Sequence, residues 1–289
     1  MKILEYFKAS FSRKMARRYF KKYSYRVDRF RVNEDGNEVE FANWNNPLIK
    51  PYVLTKFEVD FFKKLIPRGS FAIDVGAHLG SLTVPMGFAT GTEGLVLALE
   101  PNPQVFEGLK LNSTLNAGKY NIIPLQRGAA DTEGEFHYAS SEASISNGGL
   151  VFNENDNTLG KHKLKETVKT VQLSSYLKKH YLEWLPKLSF IKIDTEGFDL
   201  IILKDLAPIL KEYHPLIITE VFYSKHRSLS EKERHEMFTL LHSLGYALYN
   251  VENFEVSAAV DRFEKIPILA KEDMPSGHTY NILGEPSTF

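Results

Sequence analysis

The segment from residue 71 to residue 102 constrains the fold of this chain more than any other part of the sequence. An apolar run leads into the turn DVGAHLG at residues 74–80, and a second apolar run, Leu95 to Leu99, ends at Glu100. Short apolar runs separated by a helix-length stretch are typical of adjacent buried strands in a parallel sheet. The segment therefore predicts a strand–turn–helix–strand unit that places two acids at one edge of the sheet.

An acid and two glycines after one strand, with an acid after the next, form the arrangement that binds an adenosine-bearing cofactor. Gly76 and Gly80 let the backbone approach a ligand, and Glu100, with Asn102 beside it, accepts hydrogen bonds from the ribose hydroxyls. The D-x-G-x-x-x-G spacing lacks the central glycine of a dinucleotide site, so it favours S-adenosylmethionine over NAD. Asp74 then attracts the ammonium of the methionine part. An NAD-dependent oxidoreductase and an ordinary strand-to-helix turn are the alternatives.

The chain from residue 71 onward alternates between strand and helix patterns, which predicts an α/β protein with a doubly wound, seven-stranded sheet. The strands are expected at 71–75, 95–99, 121–126, 189–194, 215–221, 246–251 and 279–284, and the helices near 81–90, 103–116, 174–182, 199–211 and 231–244. A polar run from Ser140 to Gly160 interrupts the alternation, between predicted strands at Gly134–Ala139 and Thr167–Leu173. Its length indicates a substrate loop or lid.

A second acid-and-glycine turn ends the strand at residues 189–194, in the sequence IKIDTEG. Because the carboxyl ends of parallel strands share one crevice, we expect Asp194 and Glu196 near the cofactor, and Glu220 at the end of the next strand beside them. These three carboxylates are the candidate catalytic residues, either as a general base for a hydroxyl nucleophile or as ligands of a divalent metal. The structural alternative is capping of the following helix, the interpretation that we favour for Asp199.

Charge is distributed unevenly along a chain whose formal net charge is zero. Residues 1–31 contain eleven basic and two acidic residues, and their apolar residues recur at helical spacing, which predicts a basic amphipathic helix. We favour a helix that docks on the main domain by its apolar stripe. A peripheral membrane contact, an acidic or nucleic-acid partner and an organelle transit peptide are the alternatives. The apolar stripe consists of Leu4, Phe7, Phe11, Met15 and Tyr19.

The turn residues Asn33–Asn37 predict a hairpin after this helix, so residues 1–54 form an N-terminal extension and residues 55–289 the main domain. Thr55 and Glu58 have the spacing of a helix capping box at that boundary. Because the chain has no cysteine, thiolate metal sites, disulfides and a cysteine nucleophile are excluded. No apolar run reaches the roughly 20 residues of a membrane span, so a cytoplasmic protein is the default expectation.

Several of these motifs together resemble the FkbM-type methyltransferases. The matching elements are DVGAHLG at 74–80, EPNP at 100–103 with Phe106, Leu109 and Asn112, then Val168, Val171 and Leu173, IKIDTEG at 191–197 with Leu203, and His278 with Asn281, Ile282 and Leu283. The resemblance spans roughly residues 55–285. It implies a Rossmann-like fold whose mostly parallel sheet contains one antiparallel strand. It also implies an S-adenosylmethionine-dependent O-methyltransferase that acts on a hydroxyl of a sugar, glycan or related metabolite. By position, it implies a cofactor site formed by Asp74, Gly76, Gly80 and Glu100, and a reaction site lined by Asp194 and Glu196.

The remaining candidate residues come from single positions. Asp131 follows a predicted strand, where its carboxylate accepts a hydrogen bond from the adenine amine; an acid in a surface turn is the alternative. His78 stands in the cofactor turn where the family commonly has Asn. His78, His162, His226 and His278 are candidate bases, but their spacing forms no metal motif, so a divalent metal is not predicted. The expected partner is a small-molecule or glycan substrate, and no nucleic acid is predicted.

Overall fold

A computed structural model of the protein describes residues 2–32, 38–140, 149–151, 164–222, 231–251 and 265–287. In these residues the helices are α1 (Lys2–Arg18), α2 (Lys56–Leu65), α3 (Thr83–Thr90), α4 (Pro103–Leu115), α5 (Leu173–His180), α6 (Asp199–Tyr213) and α7 (Glu231–Ser243). The strands are β1 (Tyr25–Arg31), β2 (Glu38–Trp44), β3 (Phe71–Val75), β4 (Leu95–Leu99), β5 (Ile122–Leu125), β6 (Gly128–Ala130), β7 (Gly134–Ser140), β8 (Gly149–Val151), β9 (Leu164–Gln172), β10 (Leu188–Ile193), β11 (Leu216–Val221), β12 (Tyr246–Asn250), β13 (Ile266–Ile268) and β14 (Tyr280–Pro286).

The main sheet has eight strands within the described residues, in the order β13-β12-β14-β11-β10-β3-β4-β5. All seven predicted strands belong to it, which confirms the doubly wound α/β fold. The predicted count is wrong by one strand, because β13 adds an eighth at the edge. The sheet therefore has two antiparallel strands, β13 and β14, instead of one. The sequence does not predict β13, because this three-residue strand contains Pro267 and a proline in so short a run indicates a loop.

The central strands carry the acids of both turns on one face of the sheet. Side chains alternate between the two faces of a strand, so Asp74 lies on the same face as Ala72. In the parallel pairing of β3 with β10, Asp74 is directly opposite Lys192. Ala72 and Phe190 belong to the same apolar cluster, so Lys192 points to that face as well. The strand register alone thus places the buried Asp74 beside the buried Lys192, near the carboxyl ends of β3 and β10.

A smaller four-stranded sheet, in the order β6-β9-β7-β8, flanks the carboxyl ends of the main strands. The predicted strands at 134–139 and 167–173 are confirmed as β7 and β9. Most of the predicted substrate loop at 140–160 lies outside the described residues, but β8 falls within it and pairs with β7. A three-residue strand inside a polar run carries too few apolar positions for a period-2 pattern, so the sequence does not reveal it.

The N-terminal hairpin, formed by β1 and β2, packs on the main domain. Val39 and Phe41 are fully buried in a cluster that also contains residues of α3 and α4. Asn112 of α4 bridges both backbone groups of Ala42, accepting from its N–H at 2.6 Å and donating to its carbonyl at 3.2 Å. The predicted hairpin tip at 33–37 lies outside the described residues. The capping box of Thr55 and Glu58 is confirmed, while the division of the chain at residue 54 stays a prediction.

The first helix differs from its prediction. Its apolar stripe was expected to face the main domain, but Phe7, Phe11 and Met15 are exposed, whereas Ala16 is buried. The packing thus uses a small side chain and leaves the large ones in solvent. Within the described part of the chain, no helix is long and apolar enough to cross a membrane.

Candidate functional site

A cleft lies where the strand order of the large sheet reverses. From β3 the chain continues outward through β4 and β5, and it then returns to the other side of β3 to form β10 and β11. The carboxyl ends of β3, β4 and β10 therefore open into one crevice, which is the usual ligand position in such sheets. The cleft has a volume of about 370 Å³. Its lining includes the predicted residues Gly76, His78, Glu100, Asp194 and Glu196.

The two glycines of the first turn are required by protein packing. Gly76 has a φ of 82°, and a Cβ placed there would lie 1.7 Å from the carbonyl oxygen of Asp194. Gly80 has a φ of 89°, and its Cβ would lie 3.0 Å from Leu109 of α4. A side chain is thus excluded at Gly76 by the second turn and disfavoured at Gly80 by helix packing. Gly76 lines the cleft, whereas Gly80 is not part of the lining.

Both carboxylate oxygens of Glu100 accept hydrogen bonds from backbone N–H groups. The N–H of His78 donates to Oε2 at 2.9 Å and the N–H of Asn102 donates to Oε1 at 2.8 Å. Glu100 is only 6 % exposed, and this burial raises its pKa to about 7 despite the two N–H bonds. Each oxygen retains acceptor capacity, because a carboxylate oxygen accepts more than one hydrogen bond. The side chain therefore offers two fixed acceptors at the cleft.

His78 and Asn102 both hold Glu100 through their backbone N–H groups. His78 has a φ of 51°, a left-handed conformation that is uncommon for a residue with a side chain. That conformation aims its N–H at Glu100 while the residue itself lines the cleft. Asn102 caps α4, with its Oδ1 accepting from the N–H groups of Gln104 and Val105, and it lies outside the cleft lining.

The acid of the first turn, Asp74, lies beneath the cleft. It is fully buried, and its Oδ2 accepts a hydrogen bond from Thr83 at 2.6 Å. Its Oδ1 lies 3.4 Å from the ammonium of Lys192. With these two partners and no exposed surface, Asp74 supports the turn from below, a position different from the predicted contact with a cofactor ammonium.

The acid of the second turn, Asp194, forms part of the cleft surface. Its side chain is 25 % exposed, and Lys192 lies 3.3 Å from its Oδ2. Its backbone N–H donates to the Val75 carbonyl at 3.0 Å, which ties the second turn to the first. Lys192 also reaches the Gly76 carbonyl, at 3.5 Å. One buried ammonium therefore joins Asp74, Asp194 and the glycine turn.

Thr195, Glu196 and Gly197 complete the second turn above this network. Glu196 lines the cleft with a φ of 57°, the second such left-handed residue in the site. Asp199 is fully buried behind the turn, where its Oδ2 accepts from Thr195 at 3.1 Å and from the Gly197 N–H at 3.2 Å. Burial and then the neighbouring Asp194 raise the pKa of Asp199 to about 7. Asp199 thus has a structural role, but it stabilises the turn and does not cap α6 as predicted, because Phe198 is the N-cap residue.

Besides Asp74, Gly80 and Asn102, three more predicted site residues, Glu220, Asp131 and His278, lie outside the cleft lining. Glu220 is opposite Asn281 in the pairing of β11 with β14. Asp131 is exposed in the turn between β6 and β7, and His278 is exposed before β14. The candidate bases at positions 162 and 226 fall outside the described residues. Among the described residues, no group of three or more His, Cys, Asp or Glu side chains is arranged to hold a metal ion.

The cleft also contains residues that the sequence analysis did not single out. Lys192, Arg127, Tyr138 and Leu150 all line it. The sequence carries a signal for Lys192, because this lysine stands between two isoleucines in a strand predicted to be buried. Since an unpaired charge is rarely buried, such a lysine indicates a nearby acidic partner. Leu150 lies in the predicted substrate loop, and only the pairing of β8 with β7 brings it to the cleft.

The fold and the cleft define the class: a Rossmann-like, doubly wound α/β protein with a ligand crevice at the switch point. The methyltransferase FkbM domain family matches residues 74–248, more than half of the chain, and the chain belongs to this family. Both acid-and-glycine turns lie within the matched residues.

Two curated relatives are similar in sequence. A hexuronic acid methyltransferase, AglP, of Haloferax volcanii is 26% identical over 145 residues, which is 50% of this chain and 53% of the relative. The methyltransferase sdnD of Sordaria araneosa is 25% identical over 184 residues, covering 53% of this chain and 71% of that protein. The chain thus matches about half the length of the first relative. Among solved structures, an FkbM methyltransferase from Methylobacillus flagellatus has 13% identity and a TM-score of 0.43, covering 78% of this chain and 50% of that one.

Proposed function

We propose that this protein transfers a methyl group from S-adenosylmethionine to a hydroxyl group of a sugar, a glycan or a related small metabolite. The observation that carries the proposal is that Glu100, Asp194 and Glu196 line one cleft at the switch point of a methyltransferase-family domain. Glu100 suits the ribose of the donor, and the other two carboxylates suit an acceptor that must lose a proton.

The chemistry of the cleft wall fits this donor. The two oxygens of Glu100 are fixed by backbone N–H groups and keep acceptor capacity for the two ribose hydroxyls. Leu99, Ala129 and Leu150 supply apolar surface suited to an adenine ring. The cleft thus offers hydrogen-bond acceptors for the ribose of an adenosine and apolar surface for its adenine ring.

The glycine turn favours this donor over a dinucleotide. A pyrophosphate site uses glycines that leave space for the ligand at a helix N-terminus. In this chain the space beside Gly76 is taken by the Asp194 carbonyl, and Leu109 packs closely against Gly80. The two positions therefore serve packing within the protein, which supports the methyl-donor proposal against the NAD alternative.

The residues of the second turn are placed to act on an acceptor. When bound, the donor supplies a methyl carbon that bonds to the acceptor oxygen as its bond to sulfur breaks, and the chain must align that oxygen and receive its proton. Asp194 is the proposed proton acceptor, because its carboxylate reaches the cleft while Lys192 holds it from beneath at 3.3 Å. Glu196, beside it in the lining, is proposed to orient the acceptor by hydrogen bonds.

An acidic sugar is the first acceptor class to test. The relative from Haloferax volcanii is named for a hexuronic acid, and its similarity covers half of this chain. Arg127 lines the same cleft and offers a cation that suits a carboxylate.

Incubation of the full chain with methyl-labelled S-adenosylmethionine and a panel of uronic acid oligosaccharides, neutral oligosaccharides and amines tests the proposal. We expect label on sugars in a base-stable methyl ether. Asp194→Asn abolishes the transfer, whereas Asp131→Asn, which changes an exposed acid outside the cleft lining, leaves it intact. Label only on amines, or in a base-labile methyl ester, overturns the assignment to a hydroxyl. Turnover of NAD without any methyl transfer overturns the proposal as a whole.

A further inference from the structure

The first helix turns a row of large apolar side chains toward solvent. Phe7, Phe11 and Met15 follow one another at four-residue intervals, which places them on one face of α1. They are 64%, 65% and 39% exposed. These three residues form an outward row. Tyr19 and Phe20, just beyond the helix, are exposed as well. Large apolar side chains clustered in solvent mark an interaction surface more often than isolated ones do.

The opposite face of the same helix is the one that packs. Ala16 follows Phe7 by nine residues, or two and a half helical turns, so the two lie on opposite sides of the helix. Ala16 is 1% exposed, and Arg13, on the same side, is half-buried. The orientation of α1 is therefore fixed with the outward row pointing away from the protein.

Basic side chains surround the outward row. Lys8 and Lys14 each lie three residues from Phe11, one on either side of the row, and Arg18 is at its end. Residues 1–22 contain eight basic residues and one acid. In the neighbouring hairpin, each arginine of β1 has an acidic partner: Arg26 pairs with Asp28, Arg29 with Glu40 and Arg31 with Glu38. The excess positive charge is thus concentrated at α1 and the residues that follow it.

We propose that α1 binds the surface of an anionic lipid bilayer, with the outward row inserted among the acyl chains and the flanking lysines at the phosphate level. An apolar row bordered by Lys and Arg is the arrangement of a helix that lies in the membrane interface. A second copy of the chain would bring the same cations against each other in a symmetric contact. A nucleic acid would satisfy the lysines but leave a continuous apolar row against hydrated phosphates. The lipid surface matches both features.

Sedimentation of the full chain with vesicles tests this inference, using phosphatidylcholine alone and phosphatidylcholine mixed with phosphatidylserine. We expect binding to the mixed vesicles that is reduced by salt, and at least about tenfold weaker binding to the neutral ones. The double variant Phe7→Ala, Phe11→Ala loses about tenfold or more in affinity, because two inserted rings are removed. Lys8→Gln with Lys14→Gln lowers affinity for the mixed vesicles and leaves the weak neutral binding unchanged.

The matched control is Leu182→Ala with Leu269→Ala, which removes two exposed apolar side chains outside α1 and leaves vesicle binding intact. All variants change exposed residues, so unchanged thermal unfolding is expected and shows that the fold is retained. Three outcomes overturn the inference. The first is equal binding to both vesicle types, and the second is vesicle binding that survives Phe7→Ala with Phe11→Ala. The third is a chain that does not bind vesicles but forms a dimer or an RNA complex that the same double variant abolishes. The inference is independent of the proposed methyl transfer, because neither vesicle arm measures activity.

Discussion

The two acid-and-glycine turns of this protein resemble each other in sequence and differ in what their acids do. Each turn follows a buried parallel strand, and both Asp74 and Asp194 lie within 3.4 Å of the same ammonium, that of Lys192. Asp74 is fully buried and also bonded to Thr83, whereas a quarter of the Asp194 side chain is exposed in the cleft. An acid at the end of a strand therefore indicates the site, but burial decides whether it supports the site or lines the cleft.

The two turns pack directly against each other. The first turn passes so close to the second that only glycine fits at position 76. The N–H of Asp194 then bonds to the carbonyl of Val75, which continues the β3–β10 ladder beyond the strands. The second turn thus lies directly against the first, and its acid, Asp194, is the one that reaches the cleft.

The largest expected effect comes from separating the turns. Gly76→Ala places a Cβ 1.7 Å from a backbone oxygen, so we expect loss of the folded state or a fall in unfolding free energy above about 3 kcal/mol. Gly118→Ala is the matched control: Gly118 also has a positive φ, 79°, but nothing lies within 4 Å of the added carbon. It loses only about 1 kcal/mol, from backbone strain. Urea unfolding measures both, and equal losses would show that the contact between the turns is unimportant.

The next effect comes from removing the cation that the two acids share. Lys192→Met leaves Asp74 buried without its counter-charge, and breaking a buried pair in this way lowers the unfolding free energy by about 3–5 kcal/mol. Lys204→Met breaks an exposed pair with Glu236 and should leave stability nearly unchanged. Denaturant unfolding compares the two variants. A Lys192→Met protein as stable as the wild type would contradict the role of Lys192 as the link between the turns.

A smaller effect separates the two acids themselves. Asp74→Asn weakens an ion pair and a hydrogen bond that are both fully buried, so we expect a loss of about 1–3 kcal/mol in unfolding free energy. Asp194→Asn changes a partly exposed side chain and is expected to lose less than half as much, since water compensates it. Thermal and urea unfolding report the comparison. If Asp194→Asn proved the more destabilising of the two, the assignment of supporting and acting acids would be reversed.

The smallest effect is a pH dependence at Glu100. Its pKa in the folded protein is about 7, above its ordinary value of 4.5, so between these values the folded state binds more protons than the unfolded state. Stability should therefore fall as pH rises through this window, and Glu100→Gln should reduce the fall by about 1–2 kcal/mol. Unfolding at pH 5 and pH 8 gives the two slopes. Asp199, whose pKa is also raised to about 7, keeps part of the slope in the variant. Identical slopes in both proteins would show that Glu100 ionises normally.

The sequence predicted the parts of this structure that depend on local pattern. Buried parallel strands read as apolar runs, so the seven main strands and the convergence of Glu100 with Asp194 and Glu196 were accessible from spacing. The burial of Asp74, by contrast, depends on tertiary contacts with Thr83 and Lys192, and the cleft position of Leu150 depends on pairing between β7 and β8. The orientation of α1 could not be predicted from the sequence either. An amphipathic pattern shows which side chains share a face of the helix, but it does not show which face packs against the protein.

Calorimetric titration of S-adenosylmethionine into the wild type, Glu100→Ala and Asp194→Asn tests the central claim most directly: Glu100 serves the donor, and Asp194 serves the acceptor. The account predicts binding to the wild type, at least about tenfold weaker binding to Glu100→Ala, and binding to Asp194→Asn within about threefold of the wild type. A wild type that binds NAD and not S-adenosylmethionine would contradict it. So would an Asp194→Asn protein that no longer binds the donor while Glu100→Ala binds it normally.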